Sequence, residues 1–211
     1  MKFYDCATAP SPRRVRMFII EKGLADEIET IEVNLRDAEQ LGDAFRAINP
    51  YCTVPVLELD NGTRLLSSVG CCRYLEEAYP EPPLMGRNAV ERAIVADMEW
   101  RMEIDGFMAA GEALRNHAKR LENRAMVGPD NYAQIPELAE RGRQRVARFL
   151  ERLDTILATR KFVAGEAFSI ADITAYCTTD FAKWAKVEMP EDAPNLQRWF
   201  AAIDERPSAT V

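Results

Sequence analysis

The spacing of apolar residues changes character once along this chain, close to residue 80. Before that point short alternating runs mix with helical ones. Residues 2–5, with Phe3 and Tyr4, read as a short strand. Val15, Phe18, Ile19 and Lys22 keep the spacing of one helix face, and Gly23 follows where a left-handed residue ends a helix. Glu29-Thr30-Ile31-Glu32-Val33 alternates as a strand. Ala44, Phe45, Ala47 and Ile48 predict a short helix ahead of Asn49-Pro50. Val56–Leu59 and Thr63–Leu65 flank Asp60-Asn61-Gly62, the turn chemistry of a hairpin. A helix is predicted from Ser68 to about Tyr79.

Beyond Pro80-Glu81-Pro82-Pro83, which cannot continue a helix, every pattern has helical spacing. One helical stretch is expected from 88 to about 125, then a loop at Gly128-Pro129-Asp130-Asn131. The next helix carries Pro136 in its first turn and runs to about Ala158. Phe168-Ser169-Ile170-Ala171-Asp172-Ile173 has the form of a capping box, with Phe168 expected to staple onto Ile173. A last helix holds Leu196, Trp199, Phe200 and Ile203 and stops before Pro207. The first half follows a β-α-β-α-β-β-α order, a thioredoxin-like arrangement with a mixed sheet between helices. The expected architecture is therefore an α/β domain over 1–80 and an all-helical bundle over 88–211.

Composition narrows the function classes. A net charge of −7 argues against a nucleic-acid or anionic-membrane surface. Met1-Lys2-Phe3-Tyr4-Asp5 lacks a signal-peptide core, and no apolar run is long enough to span a bilayer. Five cysteines without paired metal spacing, Cys71 and Cys72 adjacent, fit reduced thiols in a cytoplasm. His117 is the single histidine, so multi-histidine metal sites are excluded and a Ser-His-Asp triad would have to use it. No metal is expected.

The chemistry concentrates in Asn49-Pro50-Tyr51-Cys52-Thr53-Val54-Pro55-Val56-Leu57 and in Leu65-Leu66-Ser67-Ser68. A proline directly before a strand predicts a tight turn with a cis Val54-Pro55 bond. Such a turn leaves the N–H and C=O of Val54 outside the ladder, ready to pair with an extended peptide. The two serines open a helix, and a helix N-terminus accepts a carboxylate. The combination describes a pocket for a small peptide with a free carboxylate.

Along almost its whole length the chain resembles the cytosolic glutathione transferases, in particular the bacterial ones. The residues that carry this are Phe3-Tyr4-Asp5, Pro10, Arg13-Arg14-Val15-Arg16-Met17-Phe18 and Glu21-Lys22-Gly23, then Val54-Pro55, Ser68 and Cys72-Arg73-Tyr74-Leu75-Glu76-Glu77. Phe162-Val163-Ala164-Gly165 and Phe168 to Ile173 continue it. The resemblance implies glutathione as co-substrate and a small electrophile as its partner. It also implies a homodimer in the cytoplasm and no metal, nucleic acid or membrane.

Site residues follow from the same resemblance. Thr53, Val54 and Pro55 are expected along the tripeptide, and Gln40 near its glycyl end. Ser68 is expected at the γ-glutamyl carboxylate. Ser67 replaces the family's usual glutamate, which weakens the contact to the γ-glutamyl amine. The family's thiol-activating serine or cysteine falls on Ala9, which has no donor. In Ala9-Pro10-Ser11-Pro12, Ser11 takes the place of a related subgroup's asparagine and is the expected catalytic donor to sulfur, with Thr8 behind it. Cys6 carries a redox alternative, glutathione-dependent disulfide reduction. A glutathione-binding protein with little catalysis is a third reading, toward which Ala9 and Ser67 point. Cys52 stands where a glycine is common and is expected to be accessible, while Cys71 and Cys72 pack. Arg13, Arg14 and Arg16 lie at the positive end of a helix and need acidic partners or a ligand. Trp100, Met102, Phe107 and Met108 mark the first long helix, with Met108 as a contact to the second substrate.

Overall fold

A computed structural model describes residues 1–210. They fall into two compact units. The first comprises 1–82 together with 127–130 and residue 210, the second 83–126 and 131–209.

The first unit is built on a four-stranded sheet of order β2-β1-β3-β4. Strand β1 (Lys2–Asp5) runs parallel to β2 (Glu29–Glu32) and antiparallel to β3 (Val56–Glu58), which pairs antiparallel with β4 (Arg64–Leu65). Tyr4 is registered against Val56 and packs on one face with Val33 and Phe45, the latter from the short helix α2 (Asp43–Arg46). Phe3 and Leu57, one step along each strand, alternate to the other face and are also buried. Helices α1 (Pro10–Glu21) and α3 (Ser68–Ala78) pack on each other and on β1 and β3.

Two contacts fix how these helices lie. Near their starts Ser11 Oγ meets Ser68 Oγ at 3.1 Å. Near their ends Lys22 Nζ, whose side chain is fully buried, reaches Glu76 at 2.6 Å and donates to the carbonyls of Tyr79 (2.8 Å) and Pro82 (2.7 Å). Pairing start with start and end with end makes α1 and α3 parallel. Lys22 is thus the polar exception on the apolar face read from the sequence. Gly23, at φ +71°, ends α1 as predicted.

The second unit is helical. The stretch expected from 88 to about 125 is interrupted and shorter. It comprises α4 (Ala89–Arg101), a wider π-turn segment at Met102–Phe107, and α5 (Met108–His117). Arg145 donates to the Ile104 carbonyl at 2.5 Å, satisfying an oxygen within that wider turn. Residues 122–135 form a loop fastened by Arg115, which holds the carbonyls of Arg124 and Met126, and by Asn116, which accepts from the Ile135 amide. Then come α6 (Pro136–Leu157), α7 (Ile170–Ala182) and α8 (Pro194–Asp204). Helices α5 and α6 approach closely because Gly142 faces Ala109 and Ala113. A Cβ there would stand 2.7 Å from the Ala113 nitrogen.

The capping box at the start of α7 is present. Its Asp172 is fully buried and holds four donors. Oδ2 takes the Ser169 amide (3.0 Å) and hydroxyl (3.1 Å), and Oδ1 takes the Val163 amide (2.8 Å) and the Trp199 indole (2.9 Å). Phe168 stacks edge-on against Phe162 and lies beneath the Arg206 guanidinium. Asp154 of α6 performs the parallel service for α8, accepting from the amides of Asn195 and Leu196.

Burial pushes the Asp172 carboxyl up to about 6, and its hydrogen bonds oppose that shift only in part. The folded form therefore favours the proton, so the contribution of Asp172 to stability is full below about pH 4 and falls as pH rises through 6. Roughly 3 kcal/mol is at stake. Denaturation of wild type and Asp172→Asn should show the wild-type advantage shrinking between pH 4 and 7. An advantage that grows over that range would mean the four donors outweigh burial. Gly142→Ala should lower stability by about 1–3 kcal/mol through the forced α5–α6 separation. An unchanged denaturant midpoint would show that the helices absorb the methyl group.

Candidate glutathione site

The candidate site lies in the first unit, where the turn before β3 and the starts of α1 and α3 come together in the sequence reading. Val54-Pro55 is cis, as predicted; Glu81-Pro82 is also cis. Among the described residues neither main-chain polar group of Val54 takes a hydrogen bond. The loop before it is shaped by Asn49, buried, whose amide donates to the Thr53 carbonyl (2.7 Å) and hydroxyl (3.1 Å) while its oxygen takes the Tyr51 amide. Asn49 entered the sequence reading only as a motif letter. Its Asx chemistry ahead of a turn was the signal for its clamping role. Cys52 adopts φ +54°, which explains why glycine suits this position. It is buried, not accessible as expected, because the same turn tucks its sulfur inward.

Helix α1 begins without a side-chain cap. Its N-cap is Ala9, and Pro10 and Pro12 remove two of the amides that a helix start leaves open. Ser11 lies inside the first turn instead of capping it. At α3 the cap is Ser67, which accepts from the Gly70 amide at 3.1 Å, and Ser68 is the first helical residue. The Ser68 hydroxyl contacts Ser11 Oγ and also donates to the Ser11 carbonyl at 3.3 Å. The structure thus joins two side chains that the sequence analysis assigns to different groups of the ligand, the sulfur and the γ-glutamyl carboxylate.

Arg14 completes the group. It is 6% exposed, and its Nη2 lies 3.5 Å from both serine oxygens. The sequence reading flagged the arginine run without giving Arg14 this place, although positions 11 and 14 share a helix face. Arg16 has a different partner: it ion-pairs with buried Asp5 and donates to the Ala7 carbonyl. Thr8 is exposed and touches Cys6 Sγ at 3.6 Å. Gln40 sits on a short 3₁₀ turn with its Oε1 enclosed and without a hydrogen-bond donor among the described residues.

None of the five cysteines is in a disulfide bridge among the described residues, and all are buried. Burial pushes the Cys71 thiol up to about 12, so it packs as an inert group, as expected. His117 is exposed at the end of α5, its proton disfavoured by desolvation and by Lys186 and Arg143. Among the described residues no His, Cys, Asp and Glu cluster has the form of a metal site, and no helix is long and apolar enough to cross a membrane.

In the helical unit a cleft of about 300 Å³ has an apolar floor of Met102, Phe149 and Leu153 and a charged rim that includes Asp97, Arg101, Asp105 and Arg152. Met102 belongs to it. Trp100, Phe107 and Met108, which the sequence reading grouped with Met102, do not line it, and Met108 is half exposed on α5.

Known proteins share this fold. The family description "Glutathione S-transferase, N-terminal domain" matches residues 8–78, and "Glutathione S-transferase, C-terminal domain" matches 112–207. Glutathione S-transferase 2 of Saccharomyces cerevisiae is 31% identical over 99% of this chain and 87% of its own. A glutathione S-transferase domain-containing protein of Marinobacter aquaeolei VT8 superposes with a TM-score of 0.89 at 36% identity, covering 99% of this chain and all of its own. A class Gtt2 glutathione S-transferase of Vibrio parahaemolyticus does so with 0.83 at 35%, over 99% and 95%. With both domains matched and close relatives aligned end to end, the chain belongs to the glutathione S-transferase family.

Proposed function

We propose that this protein conjugates the thiolate of glutathione to small electrophilic, mostly apolar substrates. The observation that carries the reading is the joint presence of a peptide-like edge and an anion-seeking group in the first unit. The edge is Val54, whose main-chain donor and acceptor are unused among the described residues. The group is Ser68 with Ser11 and the buried Arg14. In this reading the tripeptide main chain pairs with Val54 as an added strand would, between Thr53 and Pro55, and the γ-glutamyl carboxylate meets Ser68. Ser67 spends its oxygen on its own helix, which leaves the γ-glutamyl amine without the charged partner a glutamate provides. Gln40 offers its amide to the glycyl end.

Thiolate formation is the step that needs assistance. A free thiol has a pKa near 8.5. Lowering it by two units takes about 2.7 kcal/mol of preferential stabilisation. Parallel α1 and α3 present their positive ends side by side, and each contributes to holding an anion beside Ala9 and Pro10. The thiolate then attacks the electrophilic carbon, the carbon–sulfur bond forms, and the leaving group departs with its electron pair. Disulfide reduction through Cys6 is less favoured, since that residue is buried, its sulfur resting against the Thr8 hydroxyl.

A cytoplasmic homodimer completes the reading. Helix α4 buries Val95 but exposes Val90 and Ile94 one turn apart, and Asp97 and Arg101 follow on the same face. Apolar residues beside charges of both signs suit a two-fold contact with a second copy.

Three experiments test this. Wild type should conjugate glutathione to an activated aryl halide faster than it reduces a glutathione mixed disulfide. Ser68→Ala should weaken glutathione binding by about 1–3 kcal/mol in calorimetry. Faster disulfide turnover, abolished in Cys6→Ser, would move the protein to the reductase class, and binding without either activity would make it a glutathione-binding protein. Light scattering should give a dimer for wild type and a monomer for Ile94→Glu. A monomeric wild type would remove the dimer, and a dimeric variant would place the contact elsewhere.

A further inference from the structure

We propose that the surface around Trp184 in the helical unit is a docking face for a short acidic segment of a partner protein. It uses none of the candidate glutathione residues and does not depend on that reading.

Three parts of the unit build this surface. The 3₁₀ turn Lys183–Ala185 packs on α5 and carries Trp184, with Lys186 just past it. The end of α5 carries His117, and the next short turn, Lys119–Leu121, carries Arg120. The Arg120 guanidinium lies 5.9 Å from the centre of the Trp184 ring, and Phe181 meets the indole edge-on at 5.8 Å. Arg143 of α6 holds the turn by donating to the Ala185 carbonyl at 3.1 Å. Lys186 and Arg143 both lie close enough to His117 to disfavour its proton. His117, Arg120, Arg143 and Lys186 thus share one surface with an indole that is 44% exposed.

Charge makes this surface an exception in a chain of net charge −7. Among the described residues Arg120 and Lys186 have no carboxylate at ion-pair distance, and the Trp184 N–H is unbonded. Arg143 alone of the four has one, Glu140 at 3.5 Å. Capping of α5 does not call for these cations, because Gln134 donates to the carbonyls of Arg115 (2.8 Å) and Ala118 (2.9 Å). Lys186 also adopts φ +62°, where glycine would cost less. Like charges brought together in this way gain nothing from one another, and an incoming anion relieves them.

The extent of the surface selects the partner. On its borders Lys183 is already paired with Asp180 at 2.9 Å, and Glu140 stands beside Arg143. A nucleic-acid backbone needs a continuing row of cations and would meet carboxylates here. A short acidic segment with one apolar side chain matches the cations, the free indole N–H and the ring face together. Trp and Arg are side chains on which protein interfaces often depend.

A glutamate-rich peptide with one central phenylalanine is the probe, and a lysine-rich peptide of equal length is its control. His117 is the single histidine of the chain, so its ring signals in NMR report on this surface. The acidic peptide should shift those signals and raise the His117 pKa by adding negative charge beside Lys186, Arg143 and Arg120. The lysine-rich peptide should do neither. In calorimetry the affinity should fall as salt rises. Arg120→Glu combined with Lys186→Glu should weaken it at least about tenfold, Trp184→Ala about tenfold, and Lys2→Glu not at all. Lys186→Gly, which suits the left-handed backbone, should raise the denaturant midpoint while weakening the peptide. An acidic peptide that leaves His117 unmoved, or that binds the variants as well as wild type, would overturn the proposal. So would an oligonucleotide that binds this surface more tightly than the peptide, since the cations would then serve phosphate.

Discussion

The candidate site depends on the buried ammonium of Lys22. Two helices lying parallel set like dipole ends beside each other, which is unfavourable at both ends. Lys22 resolves the negative end: it pairs with Glu76 and donates to two carbonyls beyond α3. A charge this deeply enclosed is tolerated only because all three of its partners are in place. The consequence appears a helix length away, where the two positive ends are left together with Ser11 and Ser68 between them.

That opposite end belongs to the candidate site. The chain places there an α1 start without a side-chain cap, a donor-only guanidinium out of solvent, and two hydroxyls bonded to each other. The neighbouring turn, held in shape by Asn49, leaves the Val54 main chain as the neutral half of the candidate site. The division is physically economical. Main-chain pairing recognises any extended peptide, whereas charge recognises its terminus.

The helical unit relies on carboxylates in a different way. Asp154 of α6 satisfies amides at the start of α8 from another helix, whereas Asp172 caps its own helix α7 at Ser169 and ties that start to the Val163 amide. Asp172 does so without solvent, through a fourfold hydrogen-bond set that includes the Trp199 indole. Small residues at Gly142, Ala109 and Ala113 bring α5 and α6 close and leave the larger core side chains of α6 for other partners.

Local chemistry determined much of this protein. The order of strands and helices, the end of α1 at Gly23, the cis Val54-Pro55 turn, the box at Ser169 and Asp172 and the packing role of Cys71 and Cys72 all depend on residues close in sequence, and they could be read there. The tertiary structure decided the rest. The interruption at Met102–Phe107 and the end of α5 at His117 depend on Arg145 and on Asn116 with the 122–135 loop, none of which leaves a mark in the period of α4 and α5. Cys52 is buried because its turn folds inward, which composition does not show. Ser11 and Ser68 are 57 positions apart, and a hydroxyl in the sequence has no direction. Only the parallel packing of α1 on α3 brings the two together with Arg14, because hydrogen bonds act over a few ångströms and the chain must first close that distance.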